Sequence, residues 1–215
     1  MKRVDDMKPL IKNILKKARL AHDRWLDRRY GIVTDSNMHE VPVGTVNDDS
    51  QPYMPPPWAH VGIILRALDL GPDDVLVDYG CGAGRILCAA ARGDAGKVVG
   101  VEFSAPLVAI ARRNLENLKG RRAEWSVHEG DAAEFDPEGC TVAFYFNPFG
   151  PDTLASTLGR LEAVSKREGR DVRIGYLHLT EENARVLEAR PSVTPVRVVH
   201  TPGFRHPVHY FTLRG

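Results

Sequence analysis

Cysteine is scarce in this chain of 215 residues, which contains three: Cys81, Cys88 and Cys140. An odd count without a Cys-x-x-Cys pair provides neither the framework of a disulfide-stabilised secreted domain nor the ligand spacing of a zinc site. Unpaired thiols are typical of proteins in a reducing compartment. We therefore expect a protein without disulfides and without a bound metal.

The sequence also lacks long apolar runs and a large excess of either charge. No stretch of about 18 apolar residues occurs, which excludes a transmembrane helix. Charges recur at Lys8, Lys12 and Lys16, where a secretory signal would be apolar. The net charge is +1, so the overall charge indicates no polyanionic partner. We expect a cytoplasmic globular protein that does not bind membranes.

Charge is nevertheless uneven, because the first 30 residues are basic. They hold ten Lys or Arg against four Asp, which gives a local charge of +6. Apolar residues from Met7 to Leu26 recur at spacings of three and four, which predicts an amphipathic helix over residues 4–29. Its basic face is either the solvated side of a helix packed on the domain or a patch for RNA, an acidic substrate or a membrane surface.

Residues 31–57 show no periodicity and are rich in Asp, Asn, Ser, Gly and Pro. Compact domains rarely contain an irregular segment of this length without a functional reason. We interpret it as a lid or substrate-binding loop, with a flexible linker as the alternative. The chain length suits one domain, with residues 1–56 as its N-terminal helix and lid and residues 57–215 as its ligand-binding core.

From residue 57 onward, short apolar strands alternate with amphipathic helices, a pattern typical of an α/β fold with a parallel sheet covered on both faces. The last two strands follow one another without a helix, which predicts an antiparallel edge. The predicted strands are 75–79, 97–102, 123–128, 141–146, 172–179, 195–199 and 207–213, and the predicted helices are 57–69, 85–92, 105–118, 152–164 and 181–190.

The strongest motif joins the first strand to a helix through three alternating glycines, Gly80, Gly82 and Gly84. Glycines at this point permit a tight turn and let a ligand approach the backbone N–H groups at the start of the helix. In an open α/β sheet this turn lies at the position where ligands bind. The motif therefore predicts a ligand site at the end of the first strand.

The residues around these glycines distinguish between ligands. Arg85 stands where a dinucleotide-binding fingerprint has its third glycine, and the Gly-Lys-Ser/Thr of a phosphate loop is absent. Asp78 precedes the turn, and its carboxylate would repel a pyrophosphate. It suits a cationic ligand that carries an amino group. S-adenosylmethionine has both a sulfonium and an α-ammonium.

The sequence Asp-x-Gly-x-Gly-x-Gly after a first strand resembles the signature of class I S-adenosylmethionine-dependent methyltransferases. The resemblance implies a Rossmann-like fold: a mostly parallel seven-stranded sheet with an antiparallel C-terminal edge strand, here with an N-terminal helical extension. It also implies that Glu102 holds the ribose hydroxyls and that Phe103 packs on the adenine. Asp131 and Ala132 resemble the residues that bind the adenine edge.

Asn147 and Pro148 end the fourth strand in Asn-Pro-Phe, which resembles the motif at the methyl-transfer centre of amino methyltransferases. Their oxygens could accept hydrogen bonds from an amine acceptor, although Asn-Pro is also a common turn. Tyr53 is a further candidate catalytic residue. A general base, where one is needed, comes from a larger set: Tyr30, His39, Tyr53, His60, Tyr176, His178, His206 and His209.

Together with Tyr30-Gly31-x-x-Thr34, these features are similar to a poorly characterised bacterial group of such enzymes. We therefore expect methyl transfer from S-adenosylmethionine to a nitrogen or oxygen of a small molecule or protein, without a metal. An RNA methyltransferase that uses the basic N-terminal segment is the alternative. A nucleotide-binding or dehydrogenase-like module is a third possibility, against which the missing third glycine argues.

Overall fold

A computed structural model of the chain describes residues 2–35, 53–200, 203 and 205–215, with side chains from residue 13 onward. The central part of the predicted lid, including His39, lies outside these residues. So do the side chains of Met7, Leu10 and Ile11 in the predicted apolar face of the first helix.

Seven strands form one sheet in the order β3-β2-β1-β4-β5-β7-β6. Strands β1 to β5 are mutually parallel, and the order reverses between β1 and β4. The strands are β1 Val75–Tyr79, β2 Lys97–Glu102, β3 Glu124–Glu129, β4 Val142–Phe146, β5 Val172–Leu177, β6 Val193–Val199 and β7 Val208–Leu213. The prediction of a seven-stranded, mostly parallel Rossmann-like sheet is confirmed.

Among the described residues, six helices surround this sheet and cover both of its faces. They are α1 Lys2–Tyr30, α2 Trp58–Leu68, α3 Arg85–Ala91, α4 Ala105–Asn117, α5 Pro151–Glu168 and α6 Glu181–Glu188. One apolar core contains Ile64 of α2, Leu87 of α3 and Val108 of α4. The other contains Leu154 of α5 and Leu187 of α6.

The central strands are apolar along their length because each face meets a core. In β1, Leu76 belongs to the core under α2 to α4, whereas Val77 and Tyr79 belong to the core under α5 and α6. Successive side chains of a strand point to opposite faces, so a strand covered on both sides buries every residue. Asp78 is the charged residue in this otherwise apolar strand, and it lies near the edge of the sheet where ligands bind.

The C-terminal strands complete the antiparallel edge. β7 runs antiparallel to both β5 and β6, and it lies between them, so the edge strand of the sheet is β6. Pro195 lies in β6. Because β6 is an edge strand, the N–H that proline lacks does not remove a hydrogen bond from a central strand. The antiparallel element predicted from the sequence is thus β7, one position inside the edge.

The N-terminal helix packs differently from the sequence prediction. Ile14, Leu15 and Trp25 of the predicted apolar face are 56%, 64% and 54% exposed, whereas Asp23 and Asp27 are buried. The helix meets the core through its last turns. The reason is electrostatic, because these two carboxylates have a buried cationic partner, described below.

Candidate functional site

The site residues converge at the edge of the sheet where the parallel strands end. Asp78 and Glu102 lie at the ends of β1 and β2, and Asn147 and His178 follow β4 and β5. A cavity of about 300 Å³ opens there, beside the reversal in strand order. Open α/β sheets bind ligands at this position. Of the residues predicted for the site, those on the cavity wall are Tyr53, Asp78, Gly80, Glu102, Phe103, Ala132, Asn147 and Pro148.

The glycine turn brings three distant segments into contact. Gly80 and Gly82 have φ values of +70° and +54°, which favour glycine. A Cβ at Gly80 would overlap the ring of Pro148, and a Cβ at Gly82 would overlap the ring of Tyr53. The Gly82 N–H donates to the Glu102 carboxylate at 2.9 Å. The missing side chains thus admit protein groups that form the cavity wall.

Two buried carboxylates line the cavity at the ends of neighbouring strands. Glu102 accepts hydrogen bonds from the N–H groups of Gly82 and Ser104 at 2.9 and 3.0 Å. Asp78, only 4% exposed, has no hydrogen-bond partner among the described residues. Burial, and then the charge of Glu102, raises the pKa of Asp78 well above its ordinary value, and burial also raises the pKa of Glu102. Such a site favours a cationic ligand.

The predicted adenine end is divided between the cavity and an adjoining hollow. Phe103 and Ala132 line the cavity. Asp131 lines the hollow beside it, and its Oδ1 accepts a hydrogen bond from the Ala133 N–H at 2.8 Å. Gly84 is the N-cap of α3 and adjoins α4. The cofactor contacts predicted for Gly84 and Asp131 stay predictions.

The opposite end of the cavity is formed after β4 and β5. Asn147 and His178 have φ values of +39° and +59°, a region that non-glycine residues rarely adopt and that is enriched at functional sites. The Asn183 Nδ2 donates to the carbonyl of Phe149 at 3.0 Å and to the Tyr176 hydroxyl at 2.7 Å. The Asn-Pro-Phe corner is therefore held in place from α6.

Tyr53 closes the cavity over the glycine turn. Its hydroxyl donates to the carbonyl of Thr34 at 3.1 Å, and burial raises its pKa, which the charge of Arg85 partly opposes. The phenolate that could accept a proton is disfavoured by this shift. These contacts favour a role in covering the cavity, and the catalytic role of Tyr53 stays a prediction.

Arg85 begins α3 immediately after the glycines, and it is 3% exposed. Its Nη1 donates to the Asp23 carboxylate and to the Pro56 carbonyl, each at 3.0 Å. Its Nε and Nη2 donate to the Thr34 hydroxyl and carbonyl at 2.7 and 2.9 Å. The guanidinium also lies over the Trp58 ring at 5.4 Å. One buried cation thereby joins α1, both described ends of the lid and the glycine turn.

Asp27 completes this arrangement from α1. It accepts hydrogen bonds from the Trp58 indole N–H at 2.7 Å and from the Thr34 N–H at 2.6 Å. We refer to Asp23, Asp27, Thr34, Trp58 and Arg85 as the Arg85 cluster. Because an unpaired buried charge is unfavourable, these contacts fix the N-terminal segment against the cavity.

The candidate general bases divide into those that line the cavity and those that lie away from it. Among those within the described residues, Tyr53 and His178 line it. The Nδ1 of His178 is buried without a hydrogen-bond partner, and its ring stacks on that of His206 with centroids 3.6 Å apart. The candidates away from the wall are Tyr30, His60, Tyr176, His206 and His209.

Sequence reasoning overlooked the Arg85 cluster as a unit. In the sequence, Asp23 and Asp27 enter only the local charge of the first 30 residues, and Arg85 enters only the argument against a dinucleotide. A signal was available, since two aspartates four residues apart share one face of a helix. Arg85, which directly follows the glycine turn, is a candidate partner for these two aspartates.

The cavity fits S-adenosylmethionine. The buried carboxylate of Asp78, which has no side-chain partner among the described groups, suits an ammonium group. Glu102 at the end of β2 and Phe103 lie on the cavity wall, and their predicted contacts with the ribose and the adenine stay predictions. Residues 76–169, less than half of the chain, match the family model described as a methyltransferase domain. The fold and this match support a class I S-adenosylmethionine-dependent methyltransferase, with S-adenosylmethionine as its cofactor.

Three known proteins illustrate the similarity. The chain is 34% identical over 96 residues to a protein-lysine N-methyltransferase of Saccharolobus islandicus, covering 44% of this chain and 59% of that protein. It is 28% identical over 167 residues to a histone-lysine N-methyltransferase, H3 lysine-79 specific, of Dictyostelium discoideum, covering 68% and 9%. An RNA methyltransferase of Salinibacter ruber, solved with S-adenosyl-L-homocysteine, has a TM-score of 0.54 at 25% identity, covering 75% and 94%.

The matched regions thus represent 9% and 59% of the lengths of the two curated relatives. Within the described part of the chain, no helix combines the length and the apolarity that crossing a membrane requires.

Proposed function

We propose that this chain transfers the methyl group of S-adenosylmethionine to an amine nitrogen, and that the acceptor is a lysine side chain of a protein. The observation that carries this proposal is the corner after β4, where Asn147 shares the cavity wall with Phe146, Pro148 and Phe149. An amide oxygen accepts a hydrogen bond from an amine N–H. Apolar rings around it suit the aliphatic part of a lysine.

The size of the cavity supports a slender acceptor. Its volume of about 300 Å³ lies at the lower end of the range for small-molecule sites. The cofactor and the acceptor would share this volume, which favours a narrow chain over a second ring system as the acceptor. A lysine side chain meets this condition.

The curated relatives support the same acceptor. Both are named as lysine N-methyltransferases of proteins. The shorter of the two alignments, at 34% identity, covers 96 residues, so the resemblance supports the chemistry of the core more than the choice of protein partner.

The roles of the residues follow from their positions. S-adenosylmethionine supplies an electrophilic methyl group when bound. Asp78 and Glu102 would hold its ammonium and ribose, because both are buried carboxylates on the cavity wall. Asn147, with the carbonyl of Pro148, would orient the amine, and holding the reactants close and aligned supplies most of the rate acceleration in such a transfer.

The N-terminal segment has a place in this proposal. We regard residues 1–56 as the helical extension and lid of a single methyltransferase domain whose cofactor core is 57–215. The described ends of the lid support this division, because Thr34 and Pro56 bind Arg85 beside the glycine turn. The extension would therefore cover the cofactor side of the cavity.

RNA is the second candidate acceptor, favoured by one specific observation. Asp23 and Asp27 are buried in the Arg85 cluster, so the Asp, Glu, Lys and Arg side chains that α1 exposes from residue 13 onward are all basic: Lys16, Lys17, Arg19, Arg28 and Arg29. The structural neighbour from Salinibacter ruber is named an RNA methyltransferase. Binding through such a surface would weaken steeply with salt.

Calorimetry with S-adenosylhomocysteine and a transfer assay with radiolabelled S-adenosylmethionine test the proposal. We expect micromolar binding that Glu102→Ala weakens by about tenfold or more, or about 1.4 kcal/mol. We expect label on a lysine-containing peptide and none on the same peptide with norleucine at that position. The norleucine peptide is the matched control, because it keeps the apolar chain and lacks the amine.

The outcomes separate the parts of the proposal. Absence of binding to both S-adenosylmethionine and S-adenosylhomocysteine would contradict the cofactor site. Binding without label on any lysine peptide, together with salt-sensitive methylation of tRNA, would replace the lysine acceptor by RNA.

A further inference from the structure

His178 has an unusual position at the end of β5. It lines the cavity, and its backbone is left-handed, with φ at +59°. Its Nδ1 is buried and has no hydrogen-bond partner in the described structure. An unsatisfied buried polar group is unfavourable. A strained residue of a cavity wall that also holds such an atom indicates a group that meets a ligand.

The proposed function creates a need for such a group. A free lysine side chain has a pKa of about 10.4, so near neutral pH it enters as an ammonium ion without a lone pair. Asp78 and Glu102 belong to the cofactor side of the cavity, and the Tyr53 hydroxyl already donates to Thr34. Among the described base candidates on the wall, His178 is the one whose ring nitrogen is uncommitted.

The neighbours of His178 favour its neutral form. Burial, then the adjacent His206, then Arg205, lowers the pKa of His178 below its ordinary value of 6.5. His206 stacks on the ring at 3.6 Å between centroids, and the backbone N–H of His178 donates to the Pro207 carbonyl at 3.4 Å. A neutral imidazole has one nitrogen that can accept a proton.

We propose that His178 is a catalytic residue that accepts a proton from the acceptor ammonium at Nδ1. This inference rests on the proposed lysine function. One N–H bond of the ammonium breaks, its electron pair stays on the amine nitrogen, and the proton forms an N–H bond at Nδ1 to give an imidazolium. The amine then has the lone pair that methyl transfer requires. His178 returns its proton to solvent at the partly exposed rim.

The kinetic test compares His178→Asn with His209→Asn. Asparagine tolerates the left-handed backbone. His209 lies on β7, where it pairs with Tyr176 of β5, and it is outside the cavity wall. We expect His178→Asn to lower kcat/KM for a lysine peptide about 100-fold at pH 7.5 while leaving S-adenosylhomocysteine affinity within about twofold. The control should retain the activity of the unmodified protein.

The pH profile distinguishes a base from a structural residue. The unmodified protein should show an acidic limb below pH 6.5, where His178 becomes protonated. His178→Asn should lose that limb and depend on the small fraction of free amine, which rises about tenfold per pH unit below the lysine pKa. Its deficit should therefore narrow steadily toward pH 10.

A binding measurement tests the contact without turnover. Histidine-ring NMR of the protein with S-adenosylhomocysteine should show the His178 signal shift when an acetylated lysine amide is added. The pKa of His178 should fall further, because a nearby ammonium disfavours the imidazolium.

An unchanged His178 signal with saturating acetylated lysine amide would overturn the role of His178, as would equal activity of both variants. The failure of the proposed function has a different signature, because the unmodified protein would then leave every lysine peptide unlabelled, whether or not it binds S-adenosylhomocysteine.

Discussion

The core sheet and the N-terminal segment are stabilised by opposite kinds of buried contact. In the core, burial follows the apolar pattern, and Leu76, Phe144 and Leu158 are fully buried. In the N-terminal segment, Ile14 and Leu15 remain exposed while Asp23 and Asp27 are buried. Apolar burial is non-directional, whereas ion pairs and hydrogen bonds require one geometry.

This difference has a functional consequence. The Arg85 cluster fixes Thr34, Pro56 and Tyr53 beside the glycine turn through directional contacts. The core supplies the cofactor side of the cavity. The N-terminal segment, which the Arg85 cluster holds in place, supplies part of the cover over that side. Removing the cluster should therefore separate the stability of the cover from that of the sheet.

The largest effect is expected for Arg85→Met, which leaves Asp23 and Asp27 buried without their cation. Breaking a buried pair on one side costs about 3–5 kcal/mol, and we expect that loss in the free energy of unfolding measured in urea. Arg122→Met is the matched control, since Arg122 pairs with Asp94 at 3.5 Å with both side chains more than 70% exposed. An exposed pair contributes about 0–1 kcal/mol. Equal losses in both variants would contradict the importance of the cluster.

The second prediction contrasts two buried carboxylates. Asp27→Asn replaces an acceptor of the Trp58 and Thr34 N–H groups and should destabilise the protein by about 1–3 kcal/mol. Asp78→Asn removes a charge that has no hydrogen-bond partner among the described residues. It should raise the melting temperature of the cofactor-free protein and weaken S-adenosylhomocysteine binding about tenfold, or about 1.4 kcal/mol. Calorimetry and thermal unfolding measure both.

The raised pKa of Asp78 determines how the stability of the protein and its affinity for the cofactor change with pH. Because burial raises the pKa of Asp78 in the folded state, the folded protein holds this proton more tightly than the unfolded chain. Its contribution to stability is greatest below the ordinary aspartate pKa and is lost as pH rises through the raised pKa. Affinity for the cationic cofactor changes in the opposite direction, since it needs the carboxylate. In Asp78→Asn, the pH dependence of stability and the pH dependence of cofactor affinity should both flatten. A change of stability in the same direction in Asp78→Asn and Asp27→Asn would contradict the contrast between these two carboxylates.

The sequence predicts the core well because its signals are local. β1 and β2 have the predicted bounds, and the glycine turn lies where the motif indicates. The insertion of β7 beside β5 depends on pairing between distant segments, which no local pattern specifies. His178 was one of eight candidate bases, because its place on the wall depends on where β5 ends in space.

The N-terminal helix shows the limit of periodicity most directly. The spacing of its apolar residues indicates which side chains share a face, but it does not tell whether a partner surface exists. The ion pair between Asp23 and Arg85 joins residues 62 positions apart. Local patterns cannot pair them, and the orientation of α1 depends on that pair.

The smallest effect is expected for a joint replacement of Ile14 and Leu15 by Gln. Both side chains are more than half exposed, and exposed substitutions usually change stability by less than about 0.5 kcal/mol. The free energy of unfolding and the affinity for S-adenosylhomocysteine should therefore stay unchanged, although the sequence pattern places these residues on the apolar face. A loss comparable to that of Asp27→Asn would show that this face is packed in solution and that the carboxylates are secondary to it. Retained stability would establish that α1 is held to the domain by its charges.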